Sequence, residues 1–180
     1  MRLENGKSKK LVKIFTDGAC SRNPGPGGFA AVLLYGEHRK EIAQGYRRTT
    51  NNRMELMAVI CGLETLHEEC SVQIFTDSRY VQDAFVKNWI KKWRSNGWKT
   101  SLRQDVANKD LWIRLSDLCE KHACSFHWVK GHSQNQENNR CDELAVAAGK
   151  RLSLAVDHGY EESERGARTP ATISDKFPLE

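Results

Sequence analysis

Lys13-Ile14-Phe15-Thr16-Asp17-Gly18 and Gln73-Ile74-Phe75-Thr76-Asp77-Ser78 are nearly the same hexapeptide. Each runs through β-branched and aromatic residues and ends on Thr-Asp, a strand meeting turn chemistry. Between them Met54, Met57, Ile60, Leu63 and Leu66 recur at threes, close to the helical repeat. Asn52 is a good N-cap, so the spacing predicts a helix over 52–69. A strand–helix–strand crossover makes its two strands parallel. Asp17 and Asp77 then emerge at one carboxyl edge, where open α/β sheets bind their ligands. The echo is too short for a repeat architecture.

Working outward, Leu11 to Thr16, Phe29 to Tyr35 and Lys40 to Arg47 read as an antiparallel meander. Asp17 to Gly28, rich in Gly, Pro, Asn and Ser, reads as turn. Helices are expected from Ser78 to about Trp93, from Asp110 to His122 and from Asp142 to Leu154. Cys124 to Val129 alternates, with Ser125 and His127 outward and Phe126 and Trp128 inward. The order predicts an α/β fold: a five-stranded mixed sheet, three antiparallel strands then two parallel, flanked by helices. Residues 1–10 are expected to fray, 11–154 to form the domain, and 155–180 to be a flexible polar tail.

The length of 180 residues and 39% apolar content suit one globular domain. No apolar run is long enough to span a membrane. Met1 to Lys7 has no apolar stretch behind it, so no secretory signal is read there. Six cysteines without an export signal fit free thiols and a cytoplasmic location. Residues 1–150 carry 24 basic and 17 acidic side chains, a net of +7 within a chain of +5. Such a body suits a polyanionic partner, although solubility alone would also account for it.

Two neighbouring carboxylates repel, and a divalent cation between them relieves the repulsion. Mg²⁺ prefers oxygen ligands. A pair of such ions needs roughly four carboxylates and suits phosphodiester hydrolysis. Asp17 and Asp77 supply two, Glu55 a third from the first helix, and Asp142 a fourth at the opening of the last. Singly each has an ordinary explanation: Asp17 starts a turn, Glu55 completes a capping box with Asn52, and Asp142 favours a helix N-terminus. Their joint placement points to a metal site.

Thr16-Asp17-Gly18-Ala19-Cys20-Ser21-Arg22-Asn23-Pro24-Gly25 resembles the first motif of type 1 ribonucleases H, as found in the bacterial ribonuclease HI family. Thr50-Asn51-Asn52-Arg53-Met54-Glu55-Leu56 resembles the second and Thr76-Asp77-Ser78 the third. Trp128-Val129-Lys130-Gly131-His132 followed by Asn139-Arg140-Cys141-Asp142-Glu143-Leu144-Ala145 resembles the last. The motifs run in order from about Lys13 to Lys150. The resemblance implies a metal-dependent endoribonuclease that cuts the RNA strand of RNA–DNA hybrids, leaving 5′-phosphate and 3′-hydroxyl ends. It implies two Mg²⁺ ions, replaceable by Mn²⁺, on Asp17, Glu55, Asp77 and Asp142. His132 matches a loop histidine used in proton transfer or product release, for which imidazole is suited. A monomer without an obligate protein partner is expected.

Lys87 to Arg103 holds six basic residues, no acidic one and three of the five tryptophans. Basic residues track phosphates and aromatics pack on sugars or bases, although the same pattern fits an amphipathic helix with its tryptophans inward. The segment resembles the family's basic protrusion, which implies contacts to the DNA strand from Trp89, Lys91, Lys92, Trp93, Trp98 and Lys99. By the same resemblance Asn23, Asn51 and Asn52 face the minor groove, with Cys20 near that surface. Arg48, Thr50 and Asn108 match a phosphate pocket for the DNA strand. Arg79 stands where many relatives carry Gln, so its contact to base or phosphate is left open. A binding module without catalysis, a DNA-acting enzyme of the same fold, and a structural or partner-binding protein docking through its acidic tail are the rival readings.

Overall fold

The computed structural model describes residues 9–131 and 134–168. Its strands are β1 (Lys10–Cys20), β2 (Gly25–Tyr35), β3 (His38–Thr49), β4 (Cys70–Thr76) and β5 (Ala123–Trp128). The helices are α1 (Asn51–Glu64), α2 (Arg79–Val86), α3 (Trp89–Ser95), α4 (Lys109–Lys121), α5 (Gln136–Gly149) and α6 (His158–Arg168). The two echo segments lie side by side in parallel, with Thr16 opposite Thr76. The sheet order is β3-β2-β1-β4-β5. The β1–β2 and β2–β3 pairs are antiparallel and the β4–β5 pair is parallel, as the sequence predicts.

Strand alternation divides the core between two faces. Ile14, Val72 and Ile74 bury with Leu56, Ile60 and Leu63 of α1 and Trp112 and Leu115 of α4. Phe15, Ala30 and Val32 bury on the other side with Cys141 and Ala145 of α5. Asp17, two residues beyond Phe15, shares its face. Glycine lets α5 rest directly on the sheet. A Cβ at Gly28 would stand 2.5 Å from the Ala145 carbonyl oxygen, and one at Gly45 only 2.0 Å from that of Ala148.

Several boundaries differ from the sequence expectation for local reasons. β1 continues through Cys20 and β2 begins at Gly25, because Ala19 and Cys20 pair with Gly28 and Gly27. Asp17 therefore lies within a strand rather than opening a turn. α1 is capped by Thr50, whose hydroxyl accepts from the Arg53 amide, and it ends at Glu64 rather than 69. Asn52 is thus inside the helix, and Glu55 has no part in a capping box. The helix expected over 78–93 is two, broken at Asn88, whose φ of 57° is left-handed. α5 starts at Gln136, so Asp142 sits in its interior. Trp128 points outward at 38% exposure rather than inward.

Residues 155–157 are fixed to the body and α6 lies against it, in contrast to the flexible tail expected there. The Ala155 amide donates to Gly45 O at 2.9 Å, and its carbonyl accepts from the Arg47 amide at 3.0 Å. Asp157 is buried and accepts from Arg53, Thr49 Oγ1 and the Tyr160 amide. One buried carboxylate meeting one buried guanidinium accounts for the difference, and neither hydropathy nor periodicity signals it. Of the frayed start expected over 1–10, Lys10 instead opens β1 and residues 1–8 lie outside the described residues, as do 169–180 of the expected tail.

Candidate active site

The carboxyl edge of the sheet gathers three acids from three elements. Asp17 comes from β1, Asp77 from the residue after β4, and Glu55 from the second turn of α1. One carboxylate oxygen from each lies within 4.8 Å of the others. Gly18 makes this approach possible: a Cβ there would stand 2.4 Å from the Glu55 amide nitrogen and 2.5 Å from the Met54 carbonyl carbon. Its own amide donates to Asp17 Oδ1 at 2.8 Å. Gly131 likewise leaves room for Asp77, whose Oδ2 would stand 2.5 Å from an added Cβ.

The site is electrostatically unfavourable when protein atoms alone fill it. Asp17 is 7% and Glu55 6% exposed. Burial, then the charges of Asp77 and Asp142, push the Asp17 carboxyl up to about 8. Burial, then Asp17 and Asp77, hold Glu55 well above the usual carboxylate range. Glu55 Oε1 accepts only a long 3.5 Å bond from Asn51 Nδ2, and its buried Oε2 has no partner. Oxygen donors packed this closely, with one oxygen orphaned, fit a hard divalent cation.

Asp142 stands at the margin of this cluster. Cys141 beside it is buried and donates its thiol to Phe15 O at 3.2 Å, pinning α5 to β1 two residues before Asp17. Asp142 is half-buried and close enough for its charge to raise Asp17. Two supports escaped the sequence reading. Asn138 Nδ2 donates to Asp77 Oδ2 at 3.3 Å, and nothing in its run of polar residues marks it. Arg53, 3% exposed, makes paired bonds to Asp157 at 2.7 and 2.8 Å and to Asp110 at 2.9 and 2.7 Å. That places an anchor two residues before Glu55, on the opposite side of α1. Its only sequence signal is a charged residue among the apolar positions of α1.

The remaining residues singled out in the sequence spread around this edge. Asn23 Oδ1 accepts from the Asn51 amide at 3.2 Å, joining the β1–β2 turn to the start of α1, where Asn52 is exposed. Cys20 lies half-buried beside that turn, its thiol directed to Arg22 O and held up in pKa by burial. Arg48 is the last residue but one of β3, two before Thr50, which caps α1. Asn108 is farther away, before α4, and donates to Tyr80 Oη at 3.1 Å. The Arg79 guanidinium lies 3.8 Å from the centre of the Trp128 ring, whose Nε1 donates to Asp77 O at 3.1 Å. In the basic insert Lys91 and Lys92 are exposed, and Lys99 pairs with Asp105 at 2.8 Å. Trp89, Trp93 and Trp98 are half-buried and all three pack against the core. His132 lies outside the described residues.

Residues 9–150 match the family model described as RNase H. The chain belongs to the ribonuclease H family. It is 55% identical over 154 residues to a ribonuclease H of Rippkaea orientalis, covering 86% of this chain and 94% of that one. It is 54% identical over 157 residues to a ribonuclease H of Desulforamulus reducens, covering 87% and 99%. Among solved structures it is similar to LC9-RNase H1, a type 1 RNase H with the type 2 active-site motif. That match has a TM-score of 0.74 and 28% identity, covering 98% of this chain and 89% of that one. The fold also matches LC11-RNase H1, crystallised in complex with RNA/DNA hybrid, at a TM-score of 0.58 and 22% identity, over 76% and 95%. The four ordered motifs thus carry both the family and its fold.

Proposed function

We propose that the chain is a divalent-metal-dependent endoribonuclease that hydrolyses the RNA strand of RNA–DNA hybrids, leaving 5′-phosphate and 3′-hydroxyl ends. The observation that carries the reading is the cluster of Asp17, Glu55 and Asp77 at the open carboxyl edge, in a chain of the ribonuclease H family.

Asp17, Glu55, Asp77 and Asp142 would together hold two divalent cations, Mg²⁺ or Mn²⁺. Such ions, when bound, acidify water and stabilise negative charge on phosphorus oxygens. The protein's own contribution is placement. Asn138 holds Asp77, the Gly18 amide holds Asp17, and the close approach of β1 and α1 keeps Glu55 out of water. Asn23, Asn51 and Asn52 offer small polar groups to the minor groove, where the 2′-hydroxyl distinguishes RNA. Arg48, Thr50 and Asn108 would meet phosphates of the DNA strand. Lys91, Lys92 and Lys99 would extend that track, making binding salt-dependent. Trp89, Trp93 and Trp98 support this surface from beneath, with their edges left for the DNA strand. Arg79 stacks on Trp128 and donates to Gln82 Oε1 at 3.0 Å, and its remaining donors would meet the backbone or a base edge. Cys20 lines the same surface, and His132 serves proton transfer or product release.

The hydrolytic residues all lie within 11–154, the chain as far as Asp157 completes the body that carries them, and the protein acts as a monomer in the cytoplasm without an obligate protein partner. Among the described residues no helix is long and apolar enough to cross a membrane. The test is cleavage of end-labelled hybrid with and without Mg²⁺, beside single-stranded RNA, RNA duplex and DNA duplex, with D17N as the blank. Metal-dependent cutting of the hybrid's RNA strand alone, lost in D17N, is the expected result. Binding without cutting in Mg²⁺ or Mn²⁺ would leave a binding module instead.

A further inference from the structure

The acidic helix α6 lies on the basic end of β3. Arg47 Nη2 stands 2.7 Å from Glu161 Oε1, and Arg48 Nη2 stands 2.9 Å from Glu164 Oε2. The Arg48 guanidinium also sits 5.9 Å from the centre of the Tyr160 ring, and Tyr160 Oη donates to Glu164 Oε1 at 2.8 Å. Both arginines at this end of the strand therefore face carboxylates of the chain's own C-terminal segment. Arg48 directly precedes Thr49 and Thr50, which lead into α1 and so to Glu55. On the reading proposed above, Arg48 meets phosphates of the DNA strand. A carboxylate presents guanidinium with the same oxygen pattern as a phosphate.

From these contacts we infer that α6 is an autoinhibitory strap: Glu161 and Glu164 occupy Arg47 and Arg48 as phosphate surrogates, and hybrid binding displaces them. The inference rests on the nucleic-acid reading of this face given above.

The way α6 is held fits a displaceable element. The firm attachment is Asp157, whose carboxylate is buried on Arg53 and also accepts from the Tyr160 amide at 3.1 Å. Beyond it Glu161 and Glu164 are 20% and 29% exposed, and Arg47 and Arg48 are 58% and 48% exposed. Ion pairs with that much solvent access are weak and salt-screened, so a polyanion with many phosphates outcompetes them. Asp157 stays in place while the helix beyond it swings, because its bonds to Arg53 and Thr49 do not involve the glutamates.

The test is E161Q/E164Q in the full chain, with hybrid KM and kcat measured at low and high salt beside the unmodified chain, R48A, and R48A combined with E161Q/E164Q. Thermal melting confirms that each variant is folded. The strap predicts a KM lower by about 3- to 10-fold at low salt, kcat unchanged, a smaller gain at high salt, and a smaller gain in the R48A background. An unchanged or raised KM in folded E161Q/E164Q, with the unmodified chain cleaving hybrid, overturns the strap and leaves the activity standing. Failure of the unmodified chain to bind or cleave hybrid overturns the nucleic-acid reading itself, and the strap with it.

Discussion

Glu55 and Asp17 are costly residues for the fold alone. Their burial without a counter-charge means that neutral replacement relieves repulsion while removing ligands. In chelator, E55Q should melt about 4 °C higher than the unmodified chain. In Mg²⁺ its hybrid cleavage should fall by more than about 100-fold. Differential scanning calorimetry and a cleavage assay check the two halves. The pH dependence has a definite sign. An unfolded Asp releases its proton near about pH 4. Asp17 keeps its proton to about 8 in the fold. The folded state thus holds the extra proton between those limits, and stability in chelator should fall as pH rises from about 4 to 8. Saturating divalent cation should flatten that slope, which melting curves across the range would reveal. Gly18 is equally exacting: G18A drives a methyl into the α1 backbone and should cost about 1–3 kcal/mol, with activity lost as Glu55 shifts. Denaturant titration measures the first and turnover the second. The echo of two Thr-Asp segments makes Asp17 and Asp77 legible in the sequence. Asn138 is not, because an amide that positions a carboxylate looks like any helix polar residue until folding brings the two together.

At the scale of elements, the sheet order followed from the crossover and the meander, since connection rules leave few alternatives. Helix ends were less legible. Thr50 took the cap expected of Asn52, and Asn88 broke one expected helix into α2 and α3, each decided by a single backbone conformation. The insert's tryptophans show why composition alone misleads: one face of α3 leans on the core while Lys91 and Lys92 remain outside. The hold on α1 is Arg53. Removing its guanidinium leaves Asp157 buried without its main partner, so R53A should destabilise by about 3–5 kcal/mol in urea titration. Burial pushes the Asp110 carboxyl up, but the Arg53 bonds and charge outweigh it and leave it below its usual value. That part of the stability is present above about pH 4 and is lost as acid protonates Asp110. R53A should therefore be less acid-sensitive than the unmodified chain over that range.

For the whole molecule, the boundary between body and tail matters most. Composition places it at 155, whereas the buried Asp157 moves the firmly held chain beyond that point. Ending the chain after Leu154 should lower the melting temperature far more than ending it after Tyr160. The shorter product loses Asp157, and the longer one loses solvent-screened ion pairs and the bond from Tyr160 to Glu164, which contribute little. Comparing the two melts decides where the folded unit stops. The glycines beneath the helices have a consequence for how such a protein changes over generations. Gly18 sets the depth of α1, and Gly28 and Gly45 set that of α5. The spacing of the acids is therefore gauged by main chain resting on main chain. Apolar side chains elsewhere can be exchanged, and the core can wander through many compositions, while the working edge keeps its calibration.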